Sequence, residues 1–463
     1  DRERVIILGS GWAGYSLARR LDKSLYQPII VTPRTYFVFT PLLAGTATGT
    51  LEFRTAMESS HNIPGVRAVR GWACNVDISA KTVEVEARVE KHVPTQDAGL
   101  ETSPNKPVAI SRFSRGYNPE SESVTPATGN PTRLFNMSYD KLVIAVGCFS
   151  QTFNTPGVRE NAFFLKDTTD ARRIRRRVMD CIEEAALPTT TDERRRQLLH
   201  FAVVGGGPTG IEFSAELHDF ISEDIYRLAP YLKKYVRITV YDVAPKILSM
   251  FDAKLQQYAS KHFEREGIVI KTRHHVERVE PDALITKEEG RVPAGLVVWS
   301  TGLAPNPFIS KGLKGSGIST IERRGQVEVD NHLRALVVDK HGSLVSQDSV
   351  FALGDCAAVK GTQLPATAQV ASQAAKWLAK SLNAAGKAQE MEREFKFKSM
   401  GIMAYLGGWR AITQMESADI TGRLAWLIWR GAYLTKSLSW RNKILIPTYW
   451  FVNWLLGRDI NRF

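Results

Sequence analysis

Two short glycine patterns limit what this chain can fold into. Gly9-Ser10-Gly11-Trp12-Ala13-Gly14 and Gly205-Gly206-Gly207-Pro208-Thr209-Gly210 each follow a compact apolar run, Val5 to Leu8 and Phe201 to Val204. Each then opens a stretch with helical spacing. A short run of branched apolar residues ending at glycine reads as a buried parallel strand. In a G-x-G-x-x-G turn the first glycine makes the tight turn and the second lets a pyrophosphate approach the backbone. The third lets helix pack on strand, and the helix N-terminus offers free N–H groups. One such turn is a common structural device. Two, each followed by another apolar strand (Ile29 to Val31; Val236 to Asp242), predict two βαβ units that bind dinucleotides.

Composition narrows the chemistry. At 463 residues the chain is too long for one core. Cys74, Cys148, Cys181 and Cys356 are scattered, with no CxxC pair, so neither a disulfide scaffold nor a zinc ribbon is expected, and a reducing or redox-neutral compartment fits. The nine histidines show no HxxxH or HExxH pattern, so no metal set is expected and a flavin is left as the redox centre. The net charge of +13 suits an anionic membrane surface or a mitochondrial compartment. The arginine runs at 172–177 and 194–196 are interleaved with acids, which reads as a solvated helix face rather than a nucleic-acid patch. Asp1 to Arg4 run straight into a strand, without a signal peptide; nothing preceded them or a presequence was removed. No window reaches the ~18 apolar residues of a transmembrane helix.

The fold class expected is α/β: two Rossmann-type dinucleotide-binding domains, the first split by the second, with a C-terminal domain of different composition. Residues 1–158 form the first part of an FAD-binding domain, interrupted by a long Pro- and Ser-rich surface insertion over 87–137, read as partly mobile. Residues 159–302 form the NADH-binding domain, 303–395 complete the FAD domain, and 396–463 form the C-terminal domain. The second strands end differently. Asp242 closes one, where an acid hydrogen-bonds adenosine ribose hydroxyls and repels a 2′-phosphate. Thr32-Pro33-Arg34 closes the other, with no acid; Arg34 reads equally as a 2′-phosphate receptor, a pyrophosphate contact or a surface residue. Gly354-Asp355 after the apolar run Val350 to Leu353 offers a carboxylate to a ribityl chain, and Thr301-Gly302 ends another strand. Together these point to one FAD site and one nicotinamide site.

At this point the chain resembles the type II NADH:quinone oxidoreductases, the alternative NADH dehydrogenases, in their mitochondrial fungal and plant style. The first cradle matches with its tryptophan, and so do Thr32 to Phe37 followed by Phe39-Thr40-Pro41-Leu42-Leu43, the flavin-covering loop. So do Thr209-Gly210-Ile211-Glu212, Ala352-Leu353-Gly354-Asp355-Cys356-Ala357, the helix Ala368-Gln369-Val370-Ala371-Ser372-Gln373, and the tail Ser439 to Ile460. The resemblance implies FAD held by Gly9, Gly11, Trp12, Ala13, Gly14, Thr32, Pro33, Arg34, Thr40, Pro41, Leu42, Ala145, Gly147, Gly354, Asp355, Ala368 and Gln369. It implies NADH held by Gly205, Gly207, Pro208, Thr209, Gly210, Glu212, Asp242, Thr301 and Gly302. It makes Glu212, Gln369 and Gln373 the catalytic set, the two glutamines at the quinone. Asp242 departs from the usual Glu, and Ser372 stands where some mitochondrial members carry His. No EF-hand loop is present.

The implied activity is hydride transfer from NADH to tightly bound FAD and two electrons on to ubiquinone, without proton pumping, by a homodimer on the mitochondrial inner membrane. Readings from related flavoproteins are a sulfide:quinone oxidoreductase, which needs a cysteine pair at the flavin, and an apoptosis-inducing-factor-like oxidoreductase with little turnover. Cys148 and Cys356 read as packing residues. The C-terminal region holds Trp409, Trp426, Trp429, Trp440, Trp450 and Trp454, and from Lys396 on ten Lys and Arg face three Asp and Glu. Broken apolar and aromatic stretches with flanking cations read as a one-leaflet anchor, or alternatively as a dimer interface.

Overall fold

The computed structural model describes residues 2–88, 134–389, 394–416 and 418–460. Most of the expected insertion lies outside the described residues. At its ends the strands Thr82–Ala87 and Leu134–Ser138 pair antiparallel, so residues 134–137 are strand and not loop. The chain divides into two compact units. The first comprises Asp1–Phe37, Ser59–Cys148 and Pro305–Lys398; the second comprises Val38–Glu58, Phe149–Ala304 and Ser399–Phe463. Residues 399–463, nearly all of the expected C-terminal domain, fall in the second unit, and so does the loop at 38–58.

In the first unit, strands Arg67–Asp77, Tyr26–Thr32, Glu3–Leu8, Lys141–Ile144 and Leu344–Ala352 lie parallel in that order. Among the described residues they are the centre of an eleven-stranded sheet. Val5, Ile6 and Ile7 have no exposure at all, which explains the unbroken apolar run: a central parallel strand is covered on both faces. The helix Trp12–Arg20 buries Ala13 to Ala18, ends on exposed Arg19 and Arg20, and packs against the helix Ala368–Ala385.

In the second unit, Phe163–Phe164, Leu296–Trp299, His200–Val204, Arg237–Asp242 and Val269–Thr272 form a five-stranded parallel sheet. The helix Thr168–Ala186 starts at a reciprocal cap between Asp167 and Asp170 and buries Ala171, Ile174, Val178 and Ile182, spaced three and four apart. Its arginines lie on the outward half, Arg172 and Arg175 over the Phe53 ring at 5.2 and 6.0 Å. The C-terminal part is the antiparallel sheet Ile402–Gly407, Arg410–Gln414 and Asp419–Thr421, then helices Gly422–Lys436 and Trp440–Leu456. Strand Ile402–Gly407 runs along the helix Pro208–Phe220, and Leu406, Ile412, Ala425 and Trp429 share one core with Phe213 and Leu217. No helix among the described residues is long and apolar enough to cross a membrane.

Candidate active site

The two glycine turns have the same stereochemistry. Gly9 and Gly205 have φ of +107° and +117°, which an L side chain rarely adopts. A Cβ on Gly9 would stand 2.4 Å from the Ala145 carbonyl oxygen, and one on Gly205 2.6 Å from that of Ser300. A Cβ on Gly14 or Gly210 would lie about 2 Å from the carbonyl oxygen of Gly9 or Gly205. First and third glycines are thus demanded by the protein itself. The middle ones are not: a Cβ on Gly11 or Gly207 would meet nothing within 4 Å. Each middle glycine is also the N-cap of its helix and has no side chain to offer the first-turn N–H groups. Open space before an uncapped helix start fits a dinucleotide pyrophosphate in both units.

Around the first cradle, Ala145 donates its N–H to the Leu8 carbonyl at 2.9 Å, and Gly354, with φ of +84°, faces the Ala13 methyl. Buried Ser10 and Thr32 hold the turn and the second strand together: their hydroxyls are 3.0 Å apart, and Ser10 donates to the carbonyls of Arg34 and Tyr36. Trp12 meets Phe37 edge to face at 5.0 Å. The structure thus brings Gly9–Gly14, Thr32–Arg34, Ala145–Gly147 and Gly354–Asp355 to one end of the sheet. Asp355 Oδ2, the carboxylate expected to meet a ribityl chain, accepts from the Cys148 thiol at 3.0 Å. Gln369 and Gln373 share the start of the helix Ala368–Ala385, capped by the Thr367 hydroxyl. The Gln373 amide is used at both ends, Nε2 donating to the Lys398 carbonyl at 2.8 Å and Oε1 accepting from its N–H at 3.1 Å.

In the second unit Asp242 binds the protein before any nucleotide. Its Oδ2 accepts from the Gly206 N–H inside the cradle and its Oδ1 from the Ala244 N–H at 2.7 Å. Thr301 borders the turn, its Cβ 3.2 Å from a Cβ placed on Gly205, and Gly302 has φ of +69°. Glu212 lies on a helix with almost no solvated side: from Gly210 to Phe220 every residue except His218 is buried. Its Oε1 accepts from the Tyr405 N–H and the Trp429 indole N–H, both at 3.1 Å. Burial outweighs those bonds and pushes the carboxyl up to about 7. Pro41 and Leu42 line the same small pocket as Glu212, so the loop read as flavin-covering and the helix acid meet within one unit.

The sequence reading missed the rest of that pocket. Glu216 is buried, Oε2 accepting from Thr50 Oγ1 at 2.6 Å, and burial raises its pKa. Asp219 accepts from the Tyr405 hydroxyl at 2.6 Å and the Gly408 N–H at 3.0 Å. Arg458 pairs with Glu223 at 2.7 Å and Asp224 at 2.8 Å, and its Nε donates to Thr50 Oγ1 at 3.0 Å. The signal was present: acids at 212, 216 and 219 share one face of a helix that also carries Ile211, Phe213, Ala215, Leu217 and Phe220. A helix buried all round has no water for them, so they must mark a polar interior. Cys356 is 1% exposed and burial pushes its thiol up to about 12, so it holds no thiolate for sulfur transfer at neutral pH.

Comparison with known proteins agrees with this geometry. Residues 3–375 match the pyridine nucleotide-disulphide oxidoreductase family and 400–459 match the NDH2 C-terminal domain. A protein of Dictyostelium discoideum named a probable NADH dehydrogenase is 38% identical over 100% of this chain and 92% of its own length. A mitochondrial internal alternative NAD(P)H-ubiquinone oxidoreductase A1 of Solanum tuberosum is 36% identical over 100% of this chain and 88% of its own. The structure of NDH2 from Plasmodium falciparum in complex with NADH covers 100% of both chains with a TM-score of 0.85 at 23% identity, a likeness of fold. The matches over 3–375 and 400–459, with relatives 36–38% identical along the whole chain, place it in the pyridine nucleotide-disulphide oxidoreductases and, within them, in the type II NADH dehydrogenase family.

Proposed function

We propose that this protein oxidises NADH and reduces ubiquinone without pumping protons. The observation that carries this is the open middle glycine in each of two cradles, one for each dinucleotide. FAD belongs to the first unit, along Gly9–Gly14, Thr32–Arg34, Ala145–Gly147 and Gly354–Asp355. NADH belongs to the second, along Gly205–Gly210, Asp242 and Thr301–Gly302. Bound FAD supplies the redox chemistry, taking a hydride from NADH and giving two electrons to quinone. The chain's own residues position and exclude. The helix starts face the pyrophosphates, and Asp242 orders the Gly206 N–H and sets a negative charge where a 2′-phosphate would lie. Glu212 keeps a carboxyl that titrates near neutrality in a small, buried pocket beside Pro41 and Leu42. Gln369 keeps its role at the quinone, while Gln373 acts as a clasp on Lys398 that holds the helix in place.

The C-terminal helices support docking to one leaflet of the mitochondrial inner membrane as a homodimer. Trp440, Ile444, Trp454, Leu455 and Leu456 are each more than 60% exposed, an apolar set left uncovered among the described residues. The test is NADH consumption by purified protein with and without a water-soluble ubiquinone. Consumption is expected to follow quinone one to one, and heat is expected to release FAD. Release of FMN alone, or NADH consumption indifferent to quinone, contradicts the proposal.

A further inference from the structure

Quinone reduction by NADH needs one proton beyond the hydride, because NADH + Q + H⁺ gives NAD⁺ + QH₂. The second unit contains a route for it, built around Glu216. The pocket that Glu212 lines has an internal volume of about 10 Å³, room for a single water. Next to it lies a cavity of about 240 Å³ lined by Asp219, Glu223, Asp224, Arg227, Arg430 and Arg458, among others. It reaches bulk water past side chains of Glu223 and Arg227 that are 49% and 62% exposed. Glu216 lines both spaces. Its carboxyl is oriented: Arg458 Nε donates to the Thr50 hydroxyl, so the Thr50 proton goes to Glu216 Oε2. Oε1 is left facing Gly45, where an added Cβ would stand 3.6 Å away, and Gly45 lines the inner pocket.

We propose that Glu216 is the relay that passes protons from the outer cavity, through one water beside Gly45, to Glu212. The proton on Oε1 moves to the water as the water's own proton moves to the Glu212 carboxylate. Glu216 then takes a proton from the cavity, and no electrons are exchanged. Glu216 acts through Glu212 and is not itself a catalytic residue. The groups facing it are Thr48 and Thr50 from the loop, Glu212 and Asp219 from its own helix, and Tyr405 from the adjoining strand. Arg430 and Arg458 face it from the C-terminal part. The two arginines favour its carboxylate, burial and the neighbouring acids favour its protonated form, and burial is the larger effect. A carboxyl held between these opposed effects can both give and take a proton.

This inference rests on the quinone reductase reading, and the test separates the two. Glu216→Gln keeps the shape and the Thr50 bond but carries no proton. Expected is a loss of about tenfold or more in quinone-dependent turnover, within the range of a lost acid–base group, largest at alkaline pH. The solvent deuterium effect rises above the wild-type value, anaerobic flavin reduction by NADH is unchanged, and one carboxyl band is lost from the pH-dependent infrared difference spectrum. Glu216→Asp restores part of the rate. Gly45→Ala leaves every titratable group in place and meets only ordinary contacts, but its methyl would stand 3.6 Å from Glu216 Oε1 in the wall of the one-water space. It is expected to give the same signature more weakly, and it carries the test if Glu216→Gln does not fold. Wild-type turnover and isotope effect in both variants overturn the relay. Absence of quinone-dependent turnover in the wild-type protein overturns the underlying reading instead.

Discussion

The two cradles share their glycines and differ in everything that follows them. In the first, the second strand is held by hydroxyls, Ser10 to Thr32, and the helix after Gly14 carries no acid. In the second, a carboxylate holds the turn, Asp242 to the Gly206 N–H, and the helix after Gly210 carries Glu212, Glu216 and Asp219 inside the core. The glycine triplet fixes how a pyrophosphate is met; the residues after it decide which nucleotide is held and whether protons move nearby. The first cradle, with no acid on its turn or its helix, suits a resident cofactor. The second is charged, suited to a substrate that must be discriminated and released.

The largest effect should come from the glycines the protein demands. Gly14→Ala or Gly210→Ala drives a methyl into a backbone carbonyl, and each should destabilise its unit by about 3 kcal/mol or more, seen as a collapse in melting temperature. Gly11→Ala and Gly207→Ala should separate the cradles without unfolding either. The first variant should purify with little flavin; the second should keep flavin and show a raised KM for NADH. If both leave binding intact, the middle glycines have no ligand role.

Next is Asp242. Because its carboxylate also holds the turn, Asp242→Asn, which keeps an acceptor oxygen for Gly206, is a cleaner substitution than Asp242→Ser. It should shift relative kcat/KM toward NADPH by about tenfold or more, through removal of like-charge repulsion. An unchanged ratio would show that the acid serves only the turn.

A smaller effect should appear in stability against pH. The folded pKa of Glu212 is about 7, above the ~4.3 of an unfolded chain. A raised value means its contribution is fully present below the unfolded pKa and lost as pH rises through the folded one. Glu212→Gln removes that loss, so its melting temperature relative to wild type should climb between about pH 5 and pH 8, by the equivalent of at most ~3 kcal/mol. The corresponding position after the first cradle, Ser16, has no charge, and Ser16→Ala should show no such slope.

The smallest effect on the chemistry should come from the membrane face. Serine at Trp440, Leu455 and Leu456 should weaken flotation with anionic vesicles while leaving NADH bleaching of the flavin untouched. Cutting the chain near 420 is not an equivalent experiment. It removes Trp429, which hydrogen-bonds Glu212, and Arg458, which is bound to Glu223 and Asp224.

The βαβ units were readable because their cause is local: a buried strand, a turn that only glycine can make, an amphipathic helix. Asp242 was readable for the same reason, as a strand end. The membership of the C-terminal region in the second unit was not, because it depends on Tyr405 and Trp429 reaching a helix some 200 residues away in sequence. Glu216 and Arg458 were missed for a related reason. A buried acid looks like a solvated one until the helix around it is known to have no wet face. Gln373, by contrast, was legible as a position on a helix face, but its bond to Lys398 was not.

The most direct measurement is anaerobic addition of NADH to purified protein, followed by quinone, with the flavin absorbance recorded throughout. The account predicts bleaching by one equivalent of NADH and full return of the band on adding one equivalent of quinone. Bleaching with no return on quinone, or no bleaching by NADH, would contradict it.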